Sequence, residues 1–90
     1  MKKYVLIYAP SAQKDLRSLD NSVADRILNK IKKYSEAPDA RVTAKALTGT
    51  LTGLYRYRVG DYRIIFSVDE QEVVTILTIL NIAHRKDVYR

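Results

Sequence analysis

Residues 53–68 read Gly-Leu-Tyr-Arg-Tyr-Arg-Val-Gly-Asp-Tyr-Arg-Ile-Ile-Phe-Ser-Val. Two runs rich in β-formers flank Gly60-Asp61, and glycine at the first central position suits a two-residue type II′ hairpin turn. That turn sets the register. Val59 is predicted to face Tyr62, Arg58 to face Arg63, Tyr57 to face Ile64 and Arg56 to face Ile65. Side chains alternate along each strand. One face then carries Tyr55, Tyr57, Val59, Tyr62, Ile64 and Phe66, and the other Leu54, Arg56, Arg58, Arg63, Ile65 and Ser67. The first face is aromatic and apolar and should meet the core. The second gathers guanidinium groups, with Arg58 directly opposite Arg63. Like charges across a strand pair oppose sheet formation. A small domain has little stability to give up, so the arrangement points to an anion held between the charges. Planar guanidinium forks match phosphate oxygens bidentately. The alternative is that these arginines splay into solvent or pair with Glu70 or Glu72.

On the N-terminal side, Lys3–Tyr8 reads as a first strand, with Tyr4, Val5, Ile7 and Tyr8 as β-formers. Pro10 and Ser11 open a helix, because the missing proline N–H costs nothing in the first turn. Ala12, Leu16 and Leu19 give that helix an apolar face. Asp20 and Asn21 break the pattern and are candidate caps for a second helix, and Ser22 with Asp25 has capping-box spacing. Val23, Ile27, Ile31 and Tyr34 then form one apolar stripe, opposite Asp25, Arg26, Asn29, Lys30, Lys32 and Lys33. This amphipathic helix of about four turns ends before Pro38. Asp39–Thr52 is a connector that Ala46-Leu47 would dock on the core.

On the C-terminal side, Asp69-Glu70-Gln71 is predicted to turn the chain into a last strand over Glu72–Ile82. That strand is apolar on both faces, which suits a central position. Its end would bring His84, Arg85 and Tyr89 to the arginine surface. A lone histidine is more often structural than functional. Tyr89 beside several arginines would have a lowered phenol pKa, since nearby positive charge favours the anion. It would then serve as a proton donor or acceptor. The element order is βααβββ.

The chain has 90 residues, with 16 Lys+Arg against 10 Asp+Glu, a net charge of +6. Its length allows one domain over residues 1–90. It has no cysteine and one histidine, which removes disulfides, thiolate metal sites, a cysteine nucleophile and any histidine-cluster metal site. No cofactor is implied. No apolar run approaches the roughly 18 residues of a membrane span, and the first ten residues lack a signal-peptide pattern, so the expected location is cytoplasmic. The base is clustered: residues 41–60 contain Arg41, Lys45, Arg56 and Arg58 and no acid. A concentrated positive field suits a polyanion, most simply nucleic acid, or else serves as a solubilising surface.

The sequence resembles the RelE/ParE toxin superfamily. The matching pieces are Ser-Glu-Ala-Pro at 35–38, Lys-Ala-Leu-Thr-Gly at 45–49, the hairpin at 53–68 and Ala-His-Arg-Lys-Asp-Val-Tyr at 83–89, in the same order over nearly the whole chain. The resemblance implies a RelE-like α+β fold, with a helical hairpin packed on a twisted, mainly antiparallel four-stranded sheet. The RelE branch implies metal-free, ribosome-dependent cleavage of mRNA in the A site, where the ribose 2′-OH attacks the adjacent phosphate and leaves a 2′,3′-cyclic phosphate. The ParE branch implies poisoning of DNA gyrase by protein binding.

Carried over by position, Arg63 and Arg85 would stabilise the transition state, and Arg56, Arg58 and Lys45 would bind RNA phosphates. Tyr89, with His84 as second choice, would move protons. Relatives often have lysine where this chain has Arg56 and Arg58, and arginine does not deprotonate in proteins. Those two residues would therefore only bind and stabilise charge. The implied partners are the ribosome, mRNA and a cognate antitoxin that is short, partly helical and acidic in one stretch. The toxin itself shows no helix-turn-helix reading element, so no direct DNA contact is assigned to it.

Overall fold

The computed structural model describes residues 3–36 and 44–84. Strand β1 (Lys3–Tyr8) leads through Ala9 into helix α1 (Pro10–Arg17), and helix α2 (Asn21–Ser35) follows. A two-residue strand β2 (Lys45–Ala46) and a 3-10 turn (Gly49–Leu51) precede the long hairpin of β3 (Leu54–Val59) and β4 (Tyr62–Glu70). Strand β5 (Val74–His84) ends the described chain. The sheet order is β1-β5-β4-β3-β2, with β1 parallel to β5 and the other pairs antiparallel. The predicted order of β1, two helices and a three-strand meander is present. The short β2 adds a fifth strand to the four expected.

Each element forms for a local reason. Pro10 occupies the first turn of α1. Asp20 is the N-cap residue of α2, but its side chain makes no capping bond. The capping box expected from Ser22 and Asp25 is absent, because both residues already lie inside the helix. The hairpin register matches the expectation at Val59–Tyr62, Arg58–Arg63, Tyr57–Ile64 and Arg56–Ile65. Gly60 takes φ +57° and Asp61, like every other described non-glycine residue, does not have positive φ, as a II′ turn requires. The turn into β5 sits later than predicted: β4 runs through Glu70, and the Gln71 N–H donates to the Val74 carbonyl at 2.8 Å.

One layer of helices covers one face of the sheet. Ala12 of α1 and Ile27 and Ile31 of α2 are buried against Tyr57, Val59, Ile64, Phe66, Leu77, Ile79 and Ile82. An aromatic row runs through this core. Tyr34 meets Tyr57 at 4.9 Å, Tyr57 stacks on Phe66 at 4.3 Å, and Tyr55 stacks on Phe66 at 5.8 Å. Offset aromatic contacts of this kind add about 0.5–1.5 kcal/mol each beyond simple burial. At the β1 edge, Tyr8 is half-buried, and loss of solvent pushes its phenol pKa up.

Among the described residues, the other sheet face carries no helix. Along β5 the inward residues are Thr75, Leu77 and Ile79, and then Ile82. The jump from odd to even numbers is a bulge: Ile65 pairs with Asn81 and Phe66 with Ile79, leaving Leu80 as an extra residue. Among the described residues, no helix is long and apolar enough to cross a membrane.

Candidate nucleic-acid interface

The helix-free face is organised in transverse rows. Residues paired across neighbouring strands point to the same side, and strands lie about 4.8 Å apart. The row nearest the hairpin turn is Arg58–Arg63–Ala83, across β3, β4 and β5. The next is Lys45–Arg56–Ile65–Asn81, across β2 to β5. Four cationic side chains therefore occupy two adjacent rows, and neither row contains an acid.

In a two-residue hairpin the pair beside the turn exchanges both backbone bonds. Arg58 and Arg63 are then the closer, non-hydrogen-bonded kind of pair, with Cα atoms about 4.5 Å apart. Arg58 is exposed, whereas Arg56 and Arg63 are half-buried. The Nε of Arg63 is shut off from solvent. Arginine stems commonly lie along apolar surface and leave the planar head at the water boundary.

The register sets Glu70 well apart from Arg63 along the sheet. Glu70 lies seven residues beyond Arg63 on β4, about 23 Å at 3.3 Å per residue, and it pairs with the inward-facing Thr75. Away from the cations the same face becomes polar at Ser67 and Thr78. It then becomes apolar at Ile76, Val5 and Ile7, the last two 42% and 45% exposed.

The structure brings together Arg56, Arg58, Arg63 and Lys45. Lys45 joins them because β2 pairs with β3, an arrangement for which the connector sequence carried no strand signal. The Leu47 N–H donates to the Leu54 carbonyl at 2.9 Å and closes that pairing.

His84 is a correction. It was expected on the arginine surface, but it pairs with Tyr62 on the helix side and meets that ring edge-on at 5.2 Å. The physical cause is the β5 bulge, which advances the alternation by one residue and turns Ala83, not His84, toward Arg63. Arg85 and Tyr89 lie outside the described residues.

Sequence reasoning also passed over Asp15. Its carboxylate accepts the Ile82 N–H at 2.9 Å and the Asn81 amide at 3.2 Å. No periodicity signals a contact between residues so distant in sequence.

A helical hairpin on one face of a mainly antiparallel sheet is the architecture that the resemblance to the RelE/ParE toxins implies. Residues 6–89 match the model of the ParE toxin of type II toxin-antitoxin systems, parDE, and the chain belongs to this family. It is similar to Toxin RelG of Mycobacterium tuberculosis, at 29% identity over 90 residues and 97% of each chain. The toxin–antitoxin complex RelBE2 of M. tuberculosis shares the fold at TM-score 0.76 and 24% identity, covering 92% of this chain and 99% of that one. The archaeal RelE–RelB complex of Pyrococcus horikoshii OT3 is similar at TM-score 0.67 and 31% identity, covering 92% and 96%.

Proposed function

We propose that this toxin is a ribosome-dependent endoribonuclease that cuts mRNA in the A site and so stops translation in the cytoplasm. The observation that carries the reading is the two-row cluster of Lys45, Arg56, Arg58 and Arg63, in which Arg58 faces Arg63 across the hairpin. A phosphodiester between those guanidinium groups relieves their repulsion. In the reaction the ribose 2′-OH attacks the adjacent phosphorus and the 5′-oxygen of the next nucleotide leaves. The proton lost by the 2′-OH is matched by one gained at the leaving oxygen, and the product is a 2′,3′-cyclic phosphate.

Arg56, Arg58 and Lys45 hold the backbone. Arg63, with Arg85, stabilises the extra negative charge on the pentacoordinate phosphorus, and fixed donors of this kind are commonly the largest catalytic contribution. Tyr89 or a group of the RNA moves the protons, since arginine does not. With so weak a base set, the ribosome contributes substrate geometry. A cognate antitoxin holds the toxin inactive, and an acidic stretch on it would complement the cationic rows. The RelBE2 and archaeal RelE–RelB complexes support that partner.

The test is cell-free translation of a defined mRNA. The wild-type toxin is expected to make discrete cuts within codons, ending in 2′,3′-cyclic phosphate. Arg63→Ala is expected to slow cutting about 100- to 1,000-fold and to relieve growth arrest with the fold intact. A folded Arg63→Ala/Arg58→Ala variant that still cuts at the wild-type rate would overturn the site. The family match favours one second reading, a gyrase poison that acts by protein binding. Inhibited supercoiling with intact mRNA would decide for it.

A further inference from the structure

We propose that Asp15 is a positioning residue of the toxin: it holds the β5 bulge and so sets which face the end of β5 presents to the arginine site. Strand β1 stops at Tyr8, paired with Ile79, so among the described residues the β5 edge beyond Ile79 has no strand beside it. Buried or half-buried backbone groups need partners, and α1 and its N-cap residue Ala9 supply them with single atoms. The Ala9 N–H donates to the Ile79 carbonyl at 2.9 Å, and Ser11 Oγ donates to the Leu80 carbonyl at 2.6 Å. Asp15 Oδ2 accepts from the Ile82 N–H and from Asn81 Nδ2. The bulge is thus held by Ala9 before it, by Ser11 at Leu80 itself and by Asp15 after it.

The position of Asp15 is costly to the helix itself. It lies in the last turn of α1, where the helix dipole disfavours negative charge and where Lys14 and Arg17 are the favourable neighbours. A carboxylate there is explained by the bonds it makes to β5. Their consequence reaches the site. With the bulge held, Ile82 enters the core, Ala83 pairs with Arg63, and His84 turns to Tyr62. Without it, alternation from Ile79 would send Ile82 outward and carry His84 to the arginine face. The pairing of Ala83 with Arg63, which decides what stands beside that guanidinium group on the sheet face, therefore follows a phase that Asp15 fixes. A misplacement of about 1 Å at such a group costs on the order of 100-fold in rate.

The activity arm of the test rests on the ribonuclease reading, and the spectroscopic arm does not. In the full-length toxin, NMR should show the His84 imidazole protons displaced by the edge-on Tyr62 ring and the Ile82 amide protected from exchange. Asp15→Ala should abolish the displacement and lower Ile82 protection roughly 10- to 100-fold, the range for a hydrogen bond to a charged group. On programmed ribosomes its kcat should fall about 100-fold with KM little changed. Asp15→Asn keeps an acceptor oxygen in place and should restore all three readouts.

The inference is overturned if a folded Asp15→Ala protein keeps the His84 displacement, if it loses the displacement yet keeps kcat, or if Asp15→Asn fails to restore the signature. Should Asp15→Ala not fold, Asp15→Glu replaces it. Its oxygens stand one methylene away, so it should lose the signature and kcat together, and retention of either counts against the clamp. If the wild-type toxin cuts no ribosome-bound mRNA, the ribonuclease reading fails, and the clamp is decided by the NMR signature alone.

Discussion

Arg58 and Arg63 stand directly opposite each other where a sheet selected for stability alone would place a neutral or opposite-charge pair. The proposed function and stability therefore make opposite demands on this pair. Replacing Arg58 by threonine, a good β-former, should stabilise the folded protein by about 0.2–1 kcal/mol, a Tm rise of roughly 1–6 °C for a domain of this size. The same change should weaken RNA binding. Thermal unfolding and RNA titration of one preparation check both halves, and a clear loss of stability would show that the two guanidinium groups do not repel in the free protein. The arginines were legible in the sequence because a two-residue turn leaves only one register. His84 was not. Its face depends on one extra residue, Leu80, and nothing in the apolar run from Val73 to Ala83 marks where a bulge falls.

At the scale of elements, the hairpin turn holds the cationic rows in register. Gly60 has φ +57°, and a Cβ there would also meet Arg26 Nη2 at 3.4 Å. The arginine head can give way, but the backbone cannot. Gly60→Ala should therefore cost about 1–2 kcal/mol, the penalty for an L-residue in the left-handed region. Urea unfolding measures it, and an unchanged midpoint would refute the II′ assignment. The two helices were readable from their 3- and 4-residue apolar steps, because a helix that covers one sheet face must repeat its contacts each turn. Strand β2 was not readable. Two residues carry no period, and Lys45 reaches Arg56 only through pairing with β3.

For the molecule as a whole, one bare sheet face runs from cations at Lys45, Arg56, Arg58 and Arg63 to apolar Val5 and Ile7 at the opposite edge. RNA binding by such a face is driven by release of counterions from the phosphates. Four engaged cations imply a slope of about −3 for log K against log salt on single-stranded RNA. Removing Arg56 or Arg58 should reduce its size by about 0.7 each. Fluorescence titration over a range of salt concentrations measures this, and a slope near zero would argue for a protein partner at this face instead.

What this sequence determined alone was whatever nearest neighbours along the chain decide. The glycine turn with its register, the proline-opened helix, the amphipathic stripe of α2 and the division of the hairpin into an aromatic and a cationic face all follow from short-range sterics and from the periods of strand and helix. What only the tertiary structure decided was how distant segments meet. Lys45 joins the arginines through strand pairing, and the contact of Asp15 with Ile82, 67 residues apart, holds the bulge that turns His84 away from them. A side chain's face at the end of a long strand is a sum over every residue before it. One inserted residue reverses that sum, and the bonds that keep the insertion in place come from another element altogether.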